Sequence, residues 1–189
     1  MKKNDPTKIV TGKHTVMSYL TVNEPQVPLG GGTPKYSVSL VISKDDTETY
    51  NKVKAAIKAA YEKGQKKLQG AGGDVPPLEA LKTPLRDGDK EKKNDPVYKN
   101  CWFINAKSTS KPGVVDAYKQ PILDASELYS GIIGRASVSF YAYNVNGSRG
   151  IAAGLNHIQK LHDGTPLGGH GRPEDDFDDL DGEEEDFLS

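Results

Sequence analysis

Residues 135–161, RASVSFYAYNVNGSRGIAAGLNHIQKL, restrict the fold more than any other stretch of the chain. Ala136, Val138, Phe140 and Ala142 alternate with Ser137, Ser139, Tyr141 and Tyr143, the period of two that a half-buried strand requires. Asn144-Val145-Asn146-Gly147 follows, and Asn-Gly accepts the positive φ of a tight hairpin turn. Arg149-Gly150-Ile151 through Leu155 then makes the return strand. The expected hairpin has one apolar face and one face of hydroxyls and tyrosines, with Arg135 and Arg149 near its ends. Such a face suits an ordinary half-exposed sheet, and also bases stacking beside held phosphates.

Upstream, residues 8–22 are rich in β-branched side chains and read as a first long strand. Pro25, Pro28, Gly30, Gly31, Gly32 and Pro34 make a loop, and residues 35–42 make a second strand, with Tyr36, Val38, Leu40 and Ile42 opposite Ser37, Ser39 and Ser43. The two strands are expected to pair across the glycine loop. Ser43 or Asp45 caps a helix running to about Leu68, with Tyr50, Val53, Ile57 and Ala60 on one side and Lys52, Lys54, Lys58, Lys63, Lys66 and Lys67 on the other. Its expected place is against one end or side of a small β-barrel, with the lysines in solvent. Residues 70–95 form a long polar excursion in which Leu78 and Leu81 suggest one short helical turn. Residues 97–107 read as a third strand, with Tyr98, Trp102 and Ile104 on one face and Phe103 on the other. Lys107 to Lys111 forms a basic turn, and Val114 to Tyr118 extends the region as far as Pro121.

About five long strands and one inserted amphipathic helix indicate a mainly β fold. A five-stranded, oligonucleotide-binding (OB-fold-like) barrel fits that pattern better than a sandwich.

Charge divides the chain. Ten of its 26 acidic residues fall within residues 174–189, EDDFDDLDGEEEDFLS, which contain no basic residue. The remainder holds 16 acids against 25 bases, an excess of nine positive charges hidden beneath a net charge of −1. Like-charge repulsion and the few apolar residues keep the acidic stretch from folding alone, consistent with 35% hydrophobic residues and a mean hydropathy of −0.63. The expected organisation is a domain over residues 1–163, a flexible linker over 164–173 and a disordered acidic tail over 174–189. Phe187 and Leu188, next to Asp186, end the tail in apolar residues suited to docking a partner.

Enzyme chemistry finds little support in these residues. His157, His162, Asp163 and His170 match no standard zinc spacing, so no metal or other cofactor is expected. No phosphate loop, nucleophile elbow or Cys-x-x-Cys pair occurs. The single cysteine, Cys101, excludes an internal disulfide and reads as a small core residue suited to a reducing compartment. No run reaches the roughly 18 apolar residues of a membrane span, and a cytoplasmic location is expected.

Aromatics interleaved with basic residues over 97–119 and 135–149 meet the requirements of single-strand binding. The candidate stacking residues are Tyr98, Trp102, Tyr118, Tyr141 and Tyr143, and the candidate phosphate contacts are Lys99, Lys107, Lys111, Arg135 and Arg149. The strand faces are left open: Trp102 serves equally well at the centre of a core.

The first strand, VSLVISKDD before the helix, Val97-Tyr98-Lys99-Asn100, Gly134-Arg135-Ala136-Ser137-Val138 and RGIAAGLNHIQ together resemble a family of phage single-stranded DNA-binding proteins, over about residues 8–160. The resemblance implies an oligonucleotide-binding barrel that coats and protects single-stranded DNA during phage replication and recombination. The acidic tail is similar in kind to those with which replication single-strand binders recruit a polymerase, helicase or primase, and self-association as a homodimer is compatible with it. The competing readings are a structural or assembly protein that uses the tail as a docking segment, and a mediator that anneals strands in recombination.

Overall fold

The computed structural model describes residues 4–167, a mainly β fold with few helices. The expected hairpin forms from β7 (Ile133–Val145) and β8 (Ser148–His162), paired from Ile133 and His162 to Val145 and Ser148 with register shifts after Ile133 and Ser137. Its loop is Asn146-Gly147, with φ of 51° and 85°, the two positive values that match the twist of the flanking strands. Ala136, Val138, Phe140 and Ala142 are buried with Ile151, Ala153, Leu155 and Ile158. Burying each of the larger of these side chains contributes about 1.5–3 kcal/mol.

The stretch read as one first strand is two. β1 (Lys8–Val10) pairs with β7, the chain turns at Gly12, and β2 (Thr15–Gln26) pairs with both β7 and β3 (Lys35–Ser43). The β2–β3 pairing across the glycine loop is the one expected, but it is broken by shifts after Ser18 and Thr21. β5 (Cys101–Ser108) pairs with β3 on one edge and, in parallel, with β8 on the other. Each of the strands β2, β3, β5, β8 and β7 therefore joins two of the others, and the pairings form a ring of five strands. β6 (Gly113–Val115) adds to β8 beyond β5.

Helix α1 (Thr47–Lys63) is capped by Asp46 rather than by Ser43 or Asp45, Asp46 accepting from the Thr49 N–H at 3.1 Å, and it ends at Gly64 instead of running to Leu68. Thr49 Oγ1 accepts from the Gly12 N–H at 2.9 Å, tying the helix start to the turn between β1 and β2. Val53, Ala56, Ile57 and Ala60 enter the core against β7, and Lys52, Lys54, Lys58 and Lys63 of the opposite face are exposed. A short second helix, α2 (Gln65–Leu68), follows Gly64.

Residues 70–95 are integrated into the sheet. β4 (Leu85–Asp87) pairs with β5 at Phe103, and the Lys82 carbonyl accepts from the Ile151 N–H on β8 at 2.8 Å. The excursion thus fills the space where β5 and β8 part. The expected turn appears as a 3-10 helix at Leu78–Ala80, and a four-residue helix, α3 (Gly88–Glu91), follows β4.

Residues 164–167, placed by sequence within the linker, run beside 129–131. The Tyr129 hydroxyl contacts Gly164, and the Leu167 N–H donates to the Ser130 carbonyl at 2.8 Å. Lys160 is buried and bonds Glu127 and Asp163 at 2.7 Å each, pinning both segments to β8. Burial opposes its charge, but the two carboxylates prevail and hold its pKa above the ordinary lysine value. Among the described residues, no helix is long and apolar enough to cross a membrane.

Gly134 lies at a register shift in the β7–β8 pair, and a Cβ there would overlap the Gln159 carbonyl oxygen. Gly134→Ala should therefore destabilise the protein by about 1–3 kcal/mol, read as a lower midpoint in urea.

Candidate nucleic-acid interface

The outward side chains of the ring strands form a row without bulk. Thr21 on β2 pairs with Ser37 on β3, Ser37 with Lys107 on β5, Lys107 with Gly154 on β8, and Gly154 with Ser139 on β7. The Thr21 and Ser37 hydroxyls are 2.7 Å apart, and Asn156 donates to Ser139 Oγ at 2.8 Å. Tyr141 flanks the row and is 49% exposed. Its Cε1 would lie 3.5 Å from a Cβ at Gly154, so the glycine leaves the ring lying against bare backbone. Lys107 is exposed on the other side of that glycine, and Lys111 is exposed in the turn that follows β5.

Of the ten residues singled out from sequence, the structure brings Lys107 and Tyr141 together around Gly154. Tyr143 is half-buried over Gly150, and its hydroxyl fills the space that a side chain there would take. Tyr118, 83% exposed, and Lys111 lie in the turns on either side of β6. Lys99 is exposed in the turn before β5.

Tyr98 requires correction. It belongs to a 3-10 turn, Pro96–Tyr98, separated from β5 by Asn100 with a φ of 56°, so strand alternation does not extend back to it. The side chain is fully buried, edge-on to Phe103 at 5.2 Å, and its hydroxyl bonds Ser39 Oγ at 3.0 Å. It offers no face to a ligand. Trp102 points to the opposite side of β5, stacked on Tyr50 of α1 at 5.1 Å with Lys44 Nζ 4.7 Å from its ring centre. It fastens the helix to the sheet. Arg135 is committed to Gln159 Oε1 at 2.6 Å, and Arg149 to the Leu68 carbonyl at 3.0 Å, where it closes α2. Both arginines brace the scaffold. Cys101, read as a small core residue, is only partly buried; that burial, aided by the negative charge of Asp89, raises the pKa of its thiol. Asp186, Phe187 and Leu188 lie outside the described residues.

Sequence reasoning passed over a second feature. A cleft of about 560 Å³ opens beside the shifts in β2, lined by Ser18, Tyr19, Thr21, Ser37, Asp95 and Leu167 among others. Tyr19 stands at its edge, 60% exposed. Met17 and Val22 are both buried yet five residues apart, a spacing that strict alternation cannot give and that signals an extra residue.

The chain matches the family described as "Enterobacter phage Enc34, ssDNA-binding protein" over residues 7–188. A relative, the "Putative protein p50" of Acyrthosiphon pisum secondary endosymbiont phage 1, is 32% identical over 175 residues, covering 88% of this chain and 91% of that one. The solved "Single-stranded DNA-binding protein from bacteriophage Enc34 in complex with ssDNA" shares the fold, with a TM-score of 0.69 at 22% identity over 89% of this chain and 97% of that one. So does gp2.5, a single-stranded DNA-binding protein encoded by bacteriophage T7, with a TM-score of 0.60 at 15% identity over 92% and 96%. With the family match spanning nearly its whole length, this chain belongs to the Enc34 single-stranded DNA-binding protein family.

Proposed function

We propose that this chain is a non-enzymatic phage protein that coats and protects single-stranded DNA during replication and recombination. The observation that carries the reading is the row Thr21, Ser37, Lys107, Gly154 and Ser139, flanked by exposed Tyr141. Small and polar residues leave room for a sugar-phosphate chain, the Tyr141 ring offers a base a stacking surface, and Lys107 and Lys111 neutralise phosphates. Tyr143 borders this path, and Tyr118 and Lys99 lie beyond it. In this reading the ring of five strands is an oligonucleotide-binding barrel, a fold whose strand faces and loops receive oligonucleotides. The names carried by the relatives support the same reading.

The tail over 174–189 competes with DNA for the basic surface, and once displaced it recruits replication proteins through Asp186, Phe187 and Leu188. Leu167, the last described residue, lines the cleft beside Tyr19 and so lies close to the proposed interface.

Anisotropy of labelled oligonucleotides across a salt series tests the function. Single strands should bind with little sequence preference and more tightly than duplexes. With three to five phosphate contacts, log affinity should fall against log salt with a slope of about −2 to −4. Absence of single-strand binding at low salt would remove the proposal. Trp102, the single tryptophan, is engaged with Tyr50, so its fluorescence is a poor reporter of binding.

A further inference from the structure

We propose a second nucleotide-binding station at the break in β2, in which the Tyr19 ring stacks a base of the strand bound along the row while Lys92 and Lys93 hold its phosphates. The inference rests on the single-strand-binding reading and adds a site to it. Tyr19 has a φ of 47°, a left-handed conformation that bulky side chains avoid because their Cβ crowds the following carbonyl. Glycine would take this conformation without cost. A tyrosine stands here instead, with most of its surface in solvent, where the ring gains little for folding.

The surrounding bonds explain how the strain is held. The Leu20 N–H donates to Ser130 Oγ at 2.8 Å. On the other side of Tyr19, the Met17 N–H donates to the Ile132 carbonyl at 3.0 Å and the Met17 carbonyl accepts from the Gly131 N–H at 2.8 Å. Both flanks are drawn against residues 130–132, and Tyr19 is turned outward between them. Strained residues held in this way cluster at sites of function.

Tyr19 borders two open spaces. One is the cleft that reaches Thr21 and Ser37, the first two members of the row, so a strand lying along the row arrives directly at Tyr19. The other is a hollow of about 420 Å³ formed with residues 91–96. Lys92 Nζ lies 5.5 Å from the centre of the Tyr19 ring, and Lys93 is exposed on the same turn. The two acids of the hollow are already engaged: Glu91 with Arg86 at 2.7 Å, and Asp95 with the Val97 N–H at 3.0 Å. The geometry therefore combines a free aromatic face, two ammonium groups and hydroxyls able to meet the polar edge of a base.

Tyr19→Gly separates function from fold, because glycine relieves the backbone while removing the ring. The variant should melt no lower than wild type yet bind single strands roughly ten-fold more weakly. Tyr19→Phe, which keeps the stacking surface, should retain near wild-type affinity. Replacing Lys92 and Lys93 together by alanine should reduce the salt slope by about 1.4. Photo-crosslinking of an iodouridine-substituted oligonucleotide, mapped by mass spectrometry, should label Tyr19. Full affinity in Tyr19→Gly overturns the station, as does a loss of affinity matched by a loss of melting temperature. A wild-type protein that binds no single strands overturns the underlying function instead.

Discussion

Tyr98→Ala should destabilise the protein by about 3–5 kcal/mol, a large share of what a domain of this size possesses. The change empties a fully buried site, removes the edge-on contact with Phe103 and strips Ser39 Oγ of its partner in a region closed to water. Tyr98→Phe preserves the ring and loses only the hydroxyl, at a cost of about 1–3 kcal/mol. Chemical denaturation of the three proteins measures both effects. Tyr141→Ala should do the reverse: a half-exposed ring lying over Gly154 leaves stability within about 0.5 kcal/mol, while loss of a stacking surface weakens single-strand binding by about 1–3 kcal/mol. Wild-type melting by Tyr98→Ala would contradict its burial, and undiminished binding by Tyr141→Ala would take the row out of the interface.

Deleting residues 174–189 should raise affinity for single strands by roughly ten-fold at low salt and by progressively less as salt increases. The ten carboxylates of the tail face a remainder with nine excess positive charges, and attachment keeps them at high effective concentration. The Debye length falls from about 10 Å at 0.1 M to about 3 Å at 1 M, so the two forms should converge at high salt. Equal affinity at every salt concentration would remove the competition. Phe187→Ala should leave the competition nearly intact, because it is electrostatic, while weakening capture by purified replication proteins, where a buried aromatic anchors the contact. Unchanged capture would remove that anchor.

The elements legible in the sequence are those whose causes are local. Asn146-Gly147 accepts two positive φ values without help, and the alternation over 135–145 orients the hairpin because strand geometry sends successive side chains to opposite faces. Helix α1 is likewise readable from the spacing of Val53, Ile57 and Ala60, its cap misplaced because Ser43, Asp45 and Asp46 all carry capping oxygens and only tertiary contact with Gly12 selects among them. The charge division is a property of composition and needs no coordinates.

Tertiary structure decided which of the candidate aromatic residues are left exposed. Tyr98 and Tyr141 are equally plausible stacking residues by composition. Residues 85–100 fold over one half of the outer sheet face and enclose Tyr98, whereas Ala152 and Gly154 leave Tyr141 open on the other half. The same holds for the arginines, whose partners Gln159 and Leu68 lie 24 and 81 residues away and commit them to the scaffold. The Tyr19 bulge depends on Ser130, 110 residues distant, capturing the Leu20 N–H. Side-chain period and turn chemistry act over a few residues and are written in the sequence. Which face is covered, and which cation remains free, depends on segments far apart in the chain that meet only once it has folded.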